Sequence, residues 1–258
     1  MLMLMGEIGM RISDEFEKEG NWLFKRRGIL PLLILPLVLL ALKDSEYFER
    51  FGNTVQSLWE VFCIALSFSG LLIRALTLGW VGEGTSGRNT QSQVASELNT
   101  SGMYSVVRNP LYLGNFFIIL GMILFIQVAW LAVIYTLLFW MFYERILFAE
   151  ESFLEGKFGD TYRDWARKTP IFFPDFRKWE KPKYSFSMRM VLKREYSTFF
   201  GIIVGFILVK FFAEWIGEND LQFRMRWLVF FSIGALVYFV LRFLRKKTNF
   251  LKIDQNRR

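Results

Sequence analysis

Residues 111–143 form a run of 33 positions without one charged side chain. As a single helix this run would be about 50 Å long at 1.5 Å per residue, too long for one crossing of a hydrocarbon core of roughly 30 Å. It reads instead as a tight helical hairpin inside a membrane, turning near Gln127 to Trp130. Four further apolar blocks agree with that setting. Residues 29–42 follow Lys25, Arg26 and Arg27, begin at the interface with Trp22, Leu23 and Phe24, and stop at Lys43 and Asp44. Residues 55–80 are interrupted by Glu60 and Arg74, residues 198–216 contain Lys210, and residues 226–244 complete the set. The expected fold is all-α: a polytopic membrane protein of about six transmembrane helices with a short helical hairpin at its centre.

Composition narrows the chemistry. Hydrophobic residues make up 53% of the 258 and mean hydropathy is +0.28, which suits long apolar blocks. No histidine is present, so a Ser-His-Asp nucleophile, a histidine zinc ligand and an imidazole proton shuttle are all excluded. The single cysteine, Cys63, lies in an apolar run and forms neither a disulfide framework nor a thiolate metal cluster. No metal site is expected. No small-residue cleavage site follows the first apolar block, so it reads as a retained span and not as a signal peptide.

The net charge of +8 follows the spans. Lys25, Arg26 and Arg27 place the N-terminus in the cytoplasm, and six spans return the basic tail, with Arg242, Arg245, Lys246, Lys247, Lys252, Arg257 and Arg258, to the same side. Residues 145–195 are also basic and belong there, whereas the hairpin tip has no cation and the last outer turn opens with Glu214, Glu218 and Asp220. Both termini are expected on the cytoplasmic side, and anionic lipid headgroups are the natural partner. No nucleic-acid reader motif is present. Four segments follow: residues 1–28 on the cytoplasmic side, two N-terminal spans over 29–80, a core over 81–183, and two C-terminal spans with a basic tail over 184–258.

Two polar stretches, 82–108 and 150–194, bracket the uncharged hairpin, so a site built from both would sit at its cytoplasmic mouth. Gly82, Gly84 and Gly87 match G-x-G-x-x-G, but a dinucleotide fingerprint needs a strand before it and a helix after it. Here a membrane helix precedes, and the stretch reads as a flexible loop. The sequence Arg108-Asn109-Pro110-Leu111-Tyr112-Leu113-Gly114 is more specific. Proline pushes Asn109 towards an extended conformation and itself fits a first helical turn. The unpaired amides and positive dipole end of such a helix suit a carboxylate or phosphate, with Arg108 adding a bidentate cation. On spacing alone the same residues also fit a plain proline-started membrane helix with a snorkelling arginine. Past the hairpin, Glu144 and Arg145 precede the doublet Glu150-Glu151, then Phe158, Gly159 and Tyr162. Adjacent carboxylates either sit in water or hold a cation or sugar hydroxyls.

Together the two pieces resemble the integral-membrane methyltransferases of the isoprenylcysteine carboxyl methyltransferase and phospholipid methyltransferase type. The family pattern appears as Gly102 and Tyr104; Arg108, Pro110, Tyr112 and Gly114; Glu150, Glu151 and Leu154; Phe158, Gly159 and Tyr162; and a proline at 170 or 174. Asn109 stands where the prenylcysteine enzymes have histidine, and the phospholipid enzymes carry asparagine there. The flanks look like bacterial relatives, some of which methylate the phosphate of lipid A, which implies a bacterial inner membrane as the location. The resemblance implies S-adenosylmethionine as methyl donor and a membrane lipid as acceptor. It implies that Arg108, Asn109, Pro110, Tyr112, Leu113 and Gly114 hold the amino-acid end of the cofactor, with Glu150 and Glu151 on its ribose hydroxyls or near its positive charge and Tyr104 and Tyr143 near its sulfonium. Arg74 and Arg88 are candidates for the lipid headgroup, and Glu60, mid-span, is a candidate by position.

The histidine-free, arginine-rich composition favours an anionic acceptor, a phosphate or carboxylate, because an amine must first lose a proton. Alternatives in the same class are a phospholipid amine N-methyltransferase and a prenylcysteine carboxyl methyltransferase. Alternatives of another class are an NADPH-dependent membrane reductase and a non-catalytic lipid-binding protein.

Overall fold

The computed structural model of the chain describes residues 12–44, 53–82, 85, 93, 95–217 and 225–251. Among these, every regular element is helical. Helix α1 (Ile12–Arg26) leads through a turn and a short 3-10 segment (Leu30–Ile34) into α2 (Leu35–Asp44). Then follow α3 (Asn53–Gly79), the single turn α4 (Met103–Val106), α5 (Pro110–Phe125), α6 (Ala129–Phe158), α7 (Asp160–Lys168), α8 (Met188–Gly217) and α9 (Met225–Lys247). Helices α3, α6, α8 and α9 are long and apolar enough to cross a membrane, and residues 30–43 and α5 are shorter apolar elements. The chain is a polytopic helical membrane protein.

The hairpin forms where the uncharged run turns. Gln127 adopts φ of 62° between α5 and α6, the one non-glycine residue with positive φ among those described. At membrane depth the turn's backbone needs internal partners. Gln127 N–H donates to the Leu124 carbonyl, and the Trp59 indole of α3 reaches the same oxygen at 2.9 Å. At 16 residues, α5 is about 24 Å long and falls short of the hydrocarbon thickness, whereas α6 continues about 45 Å. The acidic doublet therefore lies within α6 itself, towards its end. Likewise α8 begins at Met188, ten residues before the apolar block expected from 198.

Helices α3 and α5 pack backbone to backbone through small residues. A Cβ on Gly70 would lie 2.4 Å from the Gly114 carbonyl, and one on Gly121 would lie 2.2 Å from Ser67 Oγ and 2.5 Å from the Cys63 carbonyl. Cys63, Ser67 and Gly70 share one face of α3 at helical spacing, the small-residue seam that membrane helices use where hydrophobic driving force is absent. Ser67 fills it with a 2.7 Å hydrogen bond to the Ile118 carbonyl. Aromatic rings fill the hairpin interior: Phe116 stacks on Tyr135 at 5.7 Å, and Phe139 on Tyr143 at 4.1 Å.

The two polar stretches are stitched into one cap over the hairpin mouth. Arg108 N–H donates to the Pro170 carbonyl, Asp175 N–H to Val106, and Gly102 N–H to Glu180. The Trp165 indole bonds the Tyr104 carbonyl at 3.1 Å, and Lys157 Nζ reaches the Ala95 carbonyl at 2.6 Å. Helix α1 lies against the end of α6, where Gly20 touches the Arg145 carbonyl and Glu19 pairs with Arg145 at 2.7 Å. At the opposite end, Glu60 of α3, Lys210 and Glu214 of α8 and Arg226 of α9 form one ionic cluster.

Candidate active site

The cap, the start of α5, the end of α6 and the start of α8 enclose a cleft of about 990 Å³, within the range of small-molecule sites. Its centre is the start of α5. Asn109 has φ of −125° and ψ of 59°, Pro110 takes the first helical position, and no side chain caps the helix. The Asn109 amide is turned to the Ile171 carbonyl at 3.4 Å instead. The positive end of α5 therefore faces the cleft through Asn109, Pro110 and Leu111.

The acidic doublet closes on this helix start. Arg108 Nη1 donates to both carboxylate oxygens of Glu151 at 3.0 Å. Arg108 Nε and the Tyr162 hydroxyl are both buried without a hydrogen-bond partner among the described residues. Tyr112 donates its hydroxyl to Glu150 at 2.6 Å, and its ring meets Tyr143 edge-on at 4.8 Å. Arg27, from the turn after α1, donates to the Tyr112 hydroxyl at 3.0 Å and to Glu150 at 3.2 Å. Behind the pair, burial in α7 pushes the Tyr162 phenol above its ordinary range, with the Glu151 charge adding to the effect.

A second polar group lines the other side. Arg74 makes a two-pronged pair with Glu195, Nε at 2.9 Å and Nη2 at 2.8 Å, and its Nη1 donates to Asn115 at 2.8 Å. Glu195 is only 4% exposed. Glu97 closes the rim, bound by Tyr184 at 2.9 Å and by Lys183, whose ammonium is held above its ordinary pKa by that hydrogen bond.

The expected site residues divide into groups. Tyr104, Arg108, Asn109, Pro110, Tyr112, Tyr143, Glu150 and Arg74 all line the cleft, and Glu151 stands against Arg108. Leu113 is instead packed with Met103, Val106 and Val107 in the cap. Gly114 faces α3, with a Cβ there 2.5 Å from Arg74 Cγ, so its smallness serves helix packing and the seating of Arg74. Glu60 lies 14 residues before Arg74, about 21 Å away along α3, and is engaged by Arg226 at 2.7 Å. Arg88 lies outside the described residues, as do Gly84 and Gly87 of the glycine pattern, Glu218, Asp220 and the basic residues from Lys252 onward.

Arg27, Asn115 and Glu195 were not among the expected site residues. Arg27 reads in sequence as one of three topology-setting cations. Glu195 follows Lys193 and Arg194 in a basic tract; a lone acid in such a tract is the one signal that could have drawn attention to it.

Residues 56–161 match the family model for phospholipid methyltransferases. The chain is similar to the nickel-cobalt-cadmium resistance protein NccN of Alcaligenes xylosoxydans xylosoxydans, 31% identical over 47% of this chain and 56% of that protein. It is 31% identical to the cobalt-zinc-cadmium resistance protein CzcN of Cupriavidus metallidurans, over 43% of this chain and 49% of that protein. Against the protein-S-isoprenylcysteine O-methyltransferase of Schizosaccharomyces pombe it is 27% identical, over 47% and 52%. The chain thus spans about half the length of these curated relatives. No solved structure matches it significantly. The proline-started helix, the hairpin and the acidic doublet itself all fall inside the matched segment, and that segment is similar to the integral-membrane methyltransferases.

Proposed function

We propose that the chain is an S-adenosylmethionine-dependent methyltransferase that methylates the anionic headgroup of a membrane lipid. The observation that carries this reading is the convergence of the uncapped start of α5, with Arg108, on the Glu150-Glu151 doublet in one cleft. The cofactor is a zwitterionic amino acid joined to a ribose and a purine, and the cleft offers a part for each feature. Its carboxylate suits the α5 amides and the unused Arg108 Nε, its ribose hydroxyls suit Glu150, and its positive sulfur suits the faces of Tyr112, Tyr143 and Tyr104. Bound there, it supplies an electrophilic methyl group on a sulfonium.

What remains for the chain is orientation and exclusion of water. Tyr112 and Arg27 fix the Glu150 carboxylate, Glu151 fixes Arg108, and the aromatic hairpin interior keeps the base of the cleft dry. No described group in the cleft is placed as a free base. Glu150 is bound by Tyr112 and Arg27, Glu195 by Arg74, and Glu97 by Tyr184 and Lys183. This favours an acceptor oxygen that is already anionic, a phosphate or carboxylate; a lipid A phosphate is one acceptor of that kind. The distribution of cations supports placing the cleft on the cytoplasmic side, and the likeness to proteins of Alcaligenes and Cupriavidus favours a bacterial inner membrane.

Isothermal calorimetry on protein purified in detergent tests the cofactor assignment. S-adenosylmethionine binds the wild type, Arg108→Ala and Glu150→Ala weaken it tenfold or more, and NADPH gives no heat. Binding of NADPH in place of S-adenosylmethionine would favour a reductase.

A further inference from the structure

Between α7 and α8, residues 171–179 run along the rim of the cap with Ile171, Phe172, Phe173, Phe176 and Trp179 as large apolar side chains. This strap is pinned at both ends to the tips of membrane spans. Phe172 packs on Trp140 of α6 at 5.5 Å and on Phe116 of α5 at 5.8 Å. Trp140 precedes Glu144, the first charge on α6, by about one helical turn, roughly 6 Å, and so lies just under the headgroup level. At the other end the Trp179 ring meets Trp80, the residue that follows α3, at 5.4 Å. Both α3 and α6 are long and apolar enough to cross a membrane.

Between these anchors Phe173 and Phe176 are 77% and 67% exposed, and Phe173 is the barest large apolar side chain among the described residues. Bare rings held at the edge of two spans match the aromatic belt of a bilayer interface. The strap also carries cations. A 3-10 turn (Phe176–Lys178) places Arg177 next to Phe176, and the Arg177 guanidinium is exposed. The nearby acid, Asp175, is occupied by the Arg177 backbone N–H at 3.2 Å and by Lys178 at 3.6 Å. Aromatic rings beside basic heads are the combination that suits an anionic lipid surface. The inner edge of the strap is bonded to the site: the Pro170 carbonyl accepts from Arg108 N–H at 2.8 Å, the Ile171 carbonyl from the Asn109 amide at 3.4 Å, and Asp175 N–H donates to the Val106 carbonyl at 2.9 Å.

We propose that residues 171–179 insert into the lipid leaflet, with Phe173 and Phe176 under the headgroups and Arg177 on the phosphate of an anionic lipid, and that this insertion braces the start of α5. The insertion rests on the membrane fold alone. The bracing rests on the methyltransferase reading and deepens it, because it makes the cofactor site depend on the surrounding lipid.

The test is nitroxide accessibility in the full chain, reconstituted in vesicles of phosphatidylcholine alone or mixed with an equal part of phosphatidylglycerol. Spin labels are attached through Phe173→Cys, through Phe176→Cys and, as an aqueous control well beyond Glu144 on α6, through Gly156→Cys. Cys63 is buried, and the wild type serves as the blank. In the mixed vesicles, collision with oxygen should exceed collision with a neutral nickel chelate at 173 and 176, with the reverse at 156. Omitting phosphatidylglycerol, or adding Arg177→Gln, should raise nickel collision at 173 about threefold, as expected when one basic side chain loses an anionic surface. Nickel collision at 173 equal to that at 156 would overturn the insertion. Collision indifferent both to phosphatidylglycerol and to Arg177→Gln would overturn the anionic partner. In unlabelled Phe173→Ser/Phe176→Ser, with its helical circular dichroism unchanged, the affinity for S-adenosylmethionine in mixed vesicles should fall severalfold by calorimetry. An unchanged affinity would overturn the bracing, whereas absence of binding in the wild type would strike the methyltransferase reading and leave the depth measurement standing.

Discussion

Tyr112 donates a 2.6 Å hydrogen bond to Glu150, joining the second residue after the α5 proline to an acid 38 positions further along the chain. This bond crosses the mouth of the hairpin, and Arg27 reinforces it from a third element by touching both partners. It turns two sequence motifs into one wall of a cleft. Tyr112→Phe deletes a hydrogen bond to a charged group, worth roughly 1.5–3 kcal/mol. S-adenosylmethionine affinity should fall about tenfold by calorimetry, with the helical circular dichroism spectrum unchanged. An unaltered affinity would mean that Glu150 needs no fixing for its role.

Arg108 and Glu151 should behave as a coupled pair. Both are partly solvated, so a double-mutant cycle with alanine at each position is expected to give a coupling energy of about 1–2 kcal/mol in cofactor binding. Additive effects would place the two side chains in separate roles.

The glycine seam makes a prediction about stability with an internal control. Gly121→Ala drives a methyl group into Ser67 and the α3 backbone and should cost about 1–3 kcal/mol, read as a lowered thermal midpoint in detergent. Gly156→Ala, in α6, meets nothing within 4 Å and should be neutral or slightly stabilising. Equal effects at both sites would contradict the close approach of α3 and α5.

Glu60 is expected to matter for folding and not for cofactor binding. Lys210 and Glu60 are each 5% exposed or less, so Glu60→Ala leaves a buried ammonium with one carboxylate fewer and should cost about 3–5 kcal/mol. Calorimetry on folded variant should return the wild-type affinity. A selective loss of affinity would bring Glu60 into the site after all.

Tyr162 carries a pH signature. Its phenol titrates higher in the folded chain than the ordinary value near 10. Below pH 10 both states hold the proton and the group contributes no pH dependence. Above it the unfolded state ionises while the folded state does not, so stability falls as pH rises. Tyr162→Phe should move the onset of base unfolding upwards, as followed by circular dichroism between pH 9 and 12. An onset unchanged by the substitution would exclude Tyr162 as its source.

Much of the architecture could be read from residue order because it depends on local signals. An uncharged run too long for one crossing has to turn, and it does so at Gln127 within the expected window. Proline at position 110 starts a helix wherever the preceding residue is extended. The acidic doublet and the arginine motif were legible as a pair for the same reason, since the hairpin dictates that its two ends return to one side.

What was not legible depends on partners from distant elements. Arg27 and Lys25 look alike in sequence, and only the turn after α1 aims Arg27 at Glu150. Arg74 and Glu60 both read as functional charges within one span. The fold gives Arg74 to Glu195 in the cleft and Glu60 to Lys210 and Arg226 about 21 Å away, which periodicity along α3 alone cannot reveal. Gly114 reads equally as room for a ligand or for a helix, and the choice was made by Gly70 and Arg74 on α3.

The most direct test follows a labelled methyl group. Purified protein is incubated with methyl-tritiated S-adenosylmethionine and a bacterial lipid extract, and the organic phase is counted and analysed by mass spectrometry. The expected result is label in a lipid heavier by one methyl group, formed only with active protein and lost in Arg108→Ala. A folded wild-type protein that binds no S-adenosylmethionine and transfers no label to any lipid would contradict the methyltransferase assignment.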